Sequence, residues 1–459
     1  MPMARIAAIG RRGLRAAALL ALVSLALPAQ AEQVALSRAE LRDKVAQLIF
    51  TGHAARALPF AEALVADDPE DFGALLLAAY AARDAGQAKR SAELARAAWQ
   101  KAEGEDQKHA AAMAMAQAKS SGGARTSAQL WLRRAIEHAP DAKARKMALR
   151  DYKYVRARNP WSYRFDLGVA PSSNINGGAA SDTIWLFGLP FTLSGDSQAL
   201  SGVETRMSLS VERTVQESPA AKSTIGVNMG GRAYQLSSEA RDLAPNARGS
   251  DYAFAAVEAF ATHRRKAGQG GEWDSRLTFG HNEYGGEALS NYLRFDGGRT
   301  VMLKGGQEMR FGLLVEDQHR LDADKNSALV RGINLDWSRP LGAGTARLGA
   351  RLTDVAADAV EIAHVSRGVS LGYDFAKPVL GANLSVSVGY EERDYGAIWT
   401  VPEGRADERV SVDARAHLRQ LDYMGFAPEV GVNYTRNRSN SVLHDSREMG
   451  LSLGIKSTF

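Results

Sequence analysis

The chain holds nine histidines and no cysteine, so chemistry at a metal or a nucleophile would have to rest on histidine, carboxylates or hydroxyls. No histidine stands in a metal-ligand spacing such as His-x-x-x-His. His263, His281, His319, His364, His417 and His444 fall on separate segments, with no serine–aspartate partner pattern beside them. The residues therefore predict no enzyme and no cofactor. A different spacing is informative: Arg409, Ser411, Asp413, Arg415, His417 and Arg419 recur at every second position. On a strand this places them on one face. There Arg409, Asp413, Arg415 and Arg419 could line a water-filled pore and touch a passing acidic chain, or pair across strands with acids such as Glu391. A second set, Arg331, Arg367, Arg436 and Arg447, lies on the opposite phase of its strands. Lipopolysaccharide phosphates at the outer rim could neutralise these four, whereas at mid-bilayer each would cost roughly 2–4 kcal/mol.

Both sets need a wall with lipid on one side and water on the other, and the elements for one are present. From Trp161 the apolar period is two: Trp161, Tyr163, Phe165, Leu167 and Val169 alternate with Ser162, Arg164, Asp166 and Gly168. The same rhythm closes the chain, where Met449, Leu451, Leu453 and Ile455 alternate with Gly450, Ser452, Gly454 and Lys456. About fourteen such strands are expected between 159 and 459, forming an antiparallel transmembrane β-barrel. The strand ending in Leu453, Ile455 and the terminal Phe459 resembles the signal read by the outer-membrane barrel assembly machinery, an expected partner together with periplasmic chaperones. Every second connection is short, from Gln216–Ala221 to Asp422–Gly425, while Ala170–Leu200, Ser237–Ser250 and Asp394–Glu408 are long. Short periplasmic turns and long outer loops are the asymmetry of outer-membrane barrels. Outward-phase Trp161, Tyr163, Trp273, Trp337 and Tyr373 then fall near the periplasmic rim as an aromatic belt. Fourteen strands about 4.8 Å apart and tilted about 40° make a cylinder roughly 28 Å across, with an opening of about 15 Å once side chains are placed.

Ahead of the barrel the period is helical. Leu75, Leu76, Ala79 and Tyr80, then Leu94, Ala95, Ala98 and Trp99, fall at spacings of three and four. Among the turn signals at Asp68-Pro69, Gly86, Gly104, Gly122 and Pro140, Pro69 to Gly104 is 35 residues and Gly86 to Gly122 and Gly104 to Pro140 are 36 each, close to the tetratricopeptide period of about 34. Residues 32–158 are read as a periplasmic, tetratricopeptide-like helical domain able to hold an extended peptide, or to act as a spacer. Arg5, Arg11, Arg12 and Arg15 precede an apolar run from Ala16 to Leu27, and Ala29-Gln30-Ala31 offers a cleavage site. This is an export signal over 1–31. The formal charge of +5 is mild, and the basic residues are interleaved with acidic ones, so no nucleic-acid partner is expected.

An export signal, a short tetratricopeptide-like domain and a barrel opening with Gly168-Val169-Ala170-Pro171-Ser172-Ser173-Asn174-Ile175-Asn176 resembles the surface lipoprotein assembly modulator (Slam) family, the translocons of type XI secretion. Phe187-Gly188-Leu189-Pro190-Phe191-Thr192-Leu193-Ser194 and Ser201-Gly202 are similar to the same family's first barrel segment. The resemblance implies an outer-membrane protein that moves a protein cargo, lipid-anchored or soluble, from periplasm to cell surface. Asn174, Ile175 and Asn176 follow a proline in a glycine-rich stretch, typical turn chemistry. The apolar run around Trp185 and Phe187, with Pro190 beyond it, is too greasy for a free loop and is expected to fold inward as a partial plug or against the inner wall, or else to form a surface hairpin. Two other functions fit a helical domain joined to a barrel: a polysaccharide export pore and a general diffusion porin. A wall of this kind has a direct solution test. The mature polypeptide should need detergent to stay dispersed and should co-sediment with outer membranes; a soluble monomer without detergent would contradict the period-two reading.

Overall fold

The computed structural model describes residues 36–457, apart from 187, 188, 269, 399, 400 and 425. The export signal over 1–31, and the roles expected of Phe187 and Phe459, lie outside the described residues. The chain divides into two compact units, the first ending at Glu103 and the second running from Gly104 to the C-terminal strand.

The first unit contains α1 (Arg38–Phe50), α2 (Ala54–Asp67), α3 (Phe72–Asp84) and α4 (Ala88–Lys101). Capping fixes their starts. The Ser37 hydroxyl accepts from the Glu40 N–H while the Glu40 carboxylate accepts from the Ser37 N–H, closing a capping box that satisfies two orphan donors. The Ser37 hydroxyl also donates to the Glu40 carboxylate at 2.7 Å, and together with the Ser37 N–H it holds that carboxyl below its ordinary range. Asp71 caps α3 by accepting from Gly73 and Ala74, and its other oxygen takes Arg38 at 2.8 Å and also Arg42. At the end of α3 the chain reverses through Gly86 at φ +79°, a left-handed position that glycine takes at least cost. The helices bury Val45, Leu58, Leu64, Leu75 and Leu94 among a run of alanines, whose small side chains let the backbones come close.

The second unit begins with α5 (Gly104–Ser121), α6 (Arg125–Glu137) and α7 (Ala142–Arg158), packed on Met115, Leu132, Ile136 and Tyr152. Asn159 ends α7 and accepts from the Trp161 N–H at 3.2 Å, so helix passes to strand within two residues. The sheet is one closed barrel of fourteen strands: β1 (Trp161–Ser172), β4 (Gly202–Glu217), β5 (Ala221–Leu236), β6 (Phe254–Ala267), β7 (Gly271–Tyr284), β8 (Glu287–Leu303), β9 (Gln307–Arg320), β10 (Ala328–Leu341), β11 (Gly344–Ala357), β12 (His364–Phe375), β13 (Asn383–Tyr395), β14 (Ala406–His417), β15 (Phe426–Ser439) and β16 (Ser446–Ser457). Each strand pairs antiparallel with its sequence neighbour, β1 with β4 included, and β1 meets β16. The two short strands β2 (Thr183–Leu186) and β3 (Leu189–Thr192) form a separate two-stranded sheet. The longest loops lie at one end and the shortest turns mostly at the helix-bearing end, but the asymmetry is not strict: β14 and β15 are joined at the helix-bearing end by residues 418–425, and β7 and β8 join at the outer end through Gly285-Gly286, both at positive φ, the tightest hairpin geometry.

Side chains of the apolar phase point out and stay exposed. Ile333 and Leu371 are 60% and 61% accessible, in register rows that circle the barrel. A belt of this kind is stable only in lipid. Inward, glycines on one strand make room for rings on the next. Tyr292 lies across Gly280, its register partner, and Phe260 across Gly226. A Cβ on Gly280 would overlap the Tyr292 ring. Gly280→Val should therefore lower barrel stability by about 1–3 kcal/mol, read as a reduced urea midpoint in detergent with an unchanged slope.

Candidate functional site

Two features of the barrel could act on something passing through it: the lumen and the outer mouth. The β5–β9 side of the lumen is cross-linked by polar side chains. Glu258 accepts from Tyr292 at 2.6 Å and from Asn228 at 2.7 Å, and it pairs with Arg276 and Arg294 at 3.6 and 3.4 Å. Arg294 reaches on to Glu316 at 3.6 Å, and Arg310 grips Asp274 at 2.6 Å. The Glu258–Arg276 and Arg294–Glu316 pairs join adjoining strands, and Arg310–Asp274 reaches across β8, which stiffens that side. The β11–β14 side is thin. Gly349, Ser370, Gly389 and Ser411 occupy one register row, floor of a recess of about 360 Å³ that Arg351, Glu391 and Arg409 also line. Arg409 stands directly opposite Glu391, yet Glu391 accepts instead from Arg393 on its own strand at 2.7 Å. Asp413 and Arg415 follow on the inward face, 3.8 Å apart. Arg419, expected on the same ladder, is not in the strand. β14 stops at His417: the Leu418 N–H still donates to the Pro428 carbonyl across the hairpin, but Pro428 has no N–H to return, and Arg419 opens a single 3-10 turn over Arg419–Leu421.

The outer mouth is organised by the Asn-Ile-Asn segment. Asn174 donates to the Gly178 carbonyl at 2.9 Å and accepts from the Gly178 N–H at 2.9 Å. Asn176 donates to the carbonyls of Asp196 and Gln198 at 2.9 and 2.7 Å and accepts from Leu200 at 2.9 Å. Ile175 sits between them in a small apolar core with Leu200, Leu236, Ala240 and Ala244. The two amides thus staple the first outer loop to itself, while Ile175 roots it against the next loop. Asn174 and Gly177 also line a polar cavity of about 300 Å³ with lumen-facing Arg409, Thr435, Asn437 and Glu448, which brings this segment over the pore. The hairpin β2–β3 projects from the same loop. Trp185 faces Pro190 across it, and Trp185, Leu189 and Phe191 are 65%, 60% and 48% accessible.

Outside, the expected belts take these positions. Trp161 and Tyr163 stack at 6.3 Å, Trp273 lies under Arg299, and Trp337 donates to Gln307 at 3.1 Å. Tyr373 donates to the Leu341 carbonyl at 2.8 Å. All five lie at the helix-bearing end, and the Trp337 indole and Tyr373 phenol are turned to polar partners, as suits interfacial aromatics. At the other end Arg331 pairs with Asp354 at 3.5 Å, Arg367 with Asp394 at 2.7 Å and Arg436 with Asp445 at 2.5 Å, while Arg447 lies over the Tyr434 ring. Carboxylates on neighbouring segments therefore already serve three of the four. Leu453 and Ile455 face outward, each 54% accessible.

Near the periplasmic rim α6 grips the β14–β15 turn. Arg133 donates to the Met424 carbonyl at 3.2 Å and lies 4.4 Å over the Phe426 ring, while Glu137 accepts from the Met424 N–H at 3.1 Å. Met424 holds φ +50°, a strained conformation for a non-glycine that the two-sided grip accommodates. Sequence reasoning missed this grip and the Glu258 network, because both join residues far apart in the chain. Only the Asn-x-Asn spacing was visible beforehand, as a turn.

A closed fourteen-stranded barrel with an apolar exterior and a polar, ion-paired interior is an outer-membrane β-barrel channel. No family model matches the sequence, and no curated protein matches it. Among solved structures the chain is similar to OccAB3 of Acinetobacter baumannii, with 8% identity and a TM-score of 0.36 over 64% of this chain and 98% of that one. It is similar to OpdK of Pseudomonas aeruginosa, solved with vanillate, at 9% identity and a TM-score of 0.33 over 64% and 98%. An anion-selective porin from Comamonas acidovorans gives 12% identity and a TM-score of 0.33 over 65% and 100%. Superpositions this loose carry no argument about what passes through the pore. The staple does yield a direct check. Asn176→Ala removes four hydrogen bonds, and a loss of about 1–3 kcal/mol of local stability should make trypsin cut at Arg241 and Arg248 at least tenfold faster, with the barrel's melting unchanged.

Proposed function

We propose that this chain is an outer-membrane translocon. It meets a polypeptide in the periplasm through its helical domain, residues 32–158, and passes it to the cell surface by way of the barrel. The observation that carries this reading is the grip of α6 on the β14–β15 turn. Arg133 and Glu137 hold Met424 from both sides, so a chain bound on α6 and α7 is already at the barrel wall. The reading also draws on the resemblance to Slam proteins, whose first barrel segment shares the residues that here staple the outer loop. It is further supported by the succession of short antiparallel helices, as tetratricopeptide-like domains have. The cargo would be a lipid-anchored or a soluble secreted protein. The barrel assembly machinery and periplasmic chaperones deliver the translocon itself. Lipopolysaccharide phosphate would compete with Asp354, Asp394 and Asp445 for the outer arginines.

A second reading, a diffusion channel for small polar solutes, has its own observation in its favour. Arg351 and Arg409 face the glycine- and serine-floored recess, and no ion pair engages either among the described residues, which suits a pore that attracts small anions. A polysaccharide exporter would share the open lumen.

One pair of measurements separates the readings. In a heterologous host, co-expression with a cargo encoded beside this protein should raise protease-accessible cargo at least tenfold, and Arg133→Ala should remove most of that gain. The purified full chain in a planar bilayer should show little constitutive current. A steady, large, anion-selective conductance with no gain in surface cargo would establish the diffusion channel instead.

A further inference from the structure

The two rims of the barrel treat their outward arginines differently. At the outer rim carboxylates serve three of the four. At the helix-bearing rim Arg213 is the register partner of Trp161, Arg265 and Arg299 are partners of Trp273, and Arg339 follows Trp337 by two positions on β10. All four therefore share the lipid-facing phase of those tryptophans. None makes a side-chain hydrogen bond or an ion pair among the described residues. Three lie instead over indole rings, Arg213 over Trp161 at 5.5 Å, Arg299 over Trp273 at 5.0 Å and Arg339 over Trp337 at 5.9 Å. A guanidinium on a ring gives its face to the π-system and keeps its N–H edge free for oxygen. Tryptophan settles at headgroup level, so each ring holds its arginine at the depth of lipid phosphates.

Above these cations the lipid-facing wall is hollowed. Ile225, Ala259, Ala261, Leu277, Phe279 and Leu293, all outward by register, line an apolar space of about 550 Å³ that Trp161 and Arg213 also border. Its bulky walls, Ile225, Leu277, Phe279 and Leu293, are exposed, so the hollow opens directly onto hydrocarbon. Arg265, Trp273 and Arg299 stand in one register row, which puts the two arginines about 10 Å apart at the backbone, two strand spacings. Both guanidinium groups can then meet one phosphate. An apolar hollow ending in cations matches an acyl chain ending in an anionic headgroup, as basic pockets at membrane surfaces do. A zwitterionic headgroup fits less well, because its own ammonium returns the positive charge that its phosphate neutralises.

We propose that the arc of wall from β1 to β8 binds an anionic phospholipid of the periplasmic leaflet. Arg265 and Arg299 hold the phosphate on either side of Trp273, Arg213 adds charge beside the hollow, and one acyl chain lies in it. The inference is separate from the translocon reading and holds whatever the barrel passes.

The test uses the full chain in a non-ionic detergent, mixed with phosphatidylglycerol or phosphatidylcholine of the same chain length and read by native mass spectrometry. Retained phosphatidylglycerol should exceed phosphatidylcholine at least fivefold. Arg265→Gln/Arg299→Gln should abolish that preference, while Arg265→Lys/Arg299→Lys should keep part of it, because charge remains without the planar fork. Arg331→Gln/Arg367→Gln at the outer rim should leave it unchanged. If the double glutamine variant does not refold, Arg265→Gln alone should lower the ratio at least twofold. In proteoliposomes, brominated phosphatidylglycerol should quench the tryptophans more than brominated phosphatidylcholine, and the difference should vanish with the same substitutions. Equal retention of the two lipids by the native protein would overturn the site, leaving arginines that only reach for water. A preference that survives both glutamine variants would overturn its placement. Tighter binding of lipopolysaccharide than of phosphatidylglycerol, lost in those variants, would overturn the leaflet.

Discussion

Every strand in a membrane must have a neighbour on both edges, because hydrocarbon offers no alternative partner for N–H and C=O groups. That constraint makes the sheet close on itself, and closure settles most of the remaining architecture. It fixes which side chains face lipid, it brings β1 beside β16 across nearly the whole barrel sequence, and it sets a lumen whose lining is the polar phase of all fourteen strands. It also makes the β1–β16 junction conspicuous. Among the described residues β1 and β16 pair at four positions.

Within the lumen, the same low-dielectric wall decides how charges are handled. Glu258 is surrounded by a phenol, an amide and two guanidinium groups, so its carboxylate is matched on every side. Matched charge of this sort adds rigidity more than net stability. The β11–β14 side has glycine and serine where the β5–β9 side has this network, and the pore is accordingly open and soft on one side and braced on the other. At the outer mouth two asparagine side chains replace a turn ladder, holding a long loop over the pore with bonds to backbone groups only.

The helices reach the barrel through few residues. Arg133, Glu137 and Arg145 contact Met424, Phe426 and Asp422 on the β14–β15 turn, and Asn159 couples α7 directly into β1. Cation–ring contact and backbone hydrogen bonds thus hold Met424 from both sides.

Much of this was legible in the residues. Alternation over Trp161–Val169 and Met449–Ile455 marked a lipid–water wall, because side chains of a strand point to opposite faces whatever their partners are. Loop asymmetry placed the ends, and helical spacing with glycine punctuation marked a helical segment ahead of the barrel, where seven helices lie among the described residues. Arg409, Asp413 and Arg415 alternate along β14, whereas Arg419 falls beyond its end, since where a strand stops depends on what its neighbour can return. The two-residue outer turn at Gly285-Gly286 likewise escaped a reading that expected length there.

Periodicity is a local property, and so the sequence by itself determined the class: helices, then a closed transmembrane barrel of about this many strands. Pairing is not local, and only the tertiary structure decided it. That Glu391 turns to Arg393 rather than Arg409, that Asn174 and Asn176 staple a loop, that α6 holds Met424, and that β1 meets β16 at four positions all depend on register and side-chain reach between residues distant in the chain. No pattern along one strand can encode which neighbour it will find or how far that pairing runs.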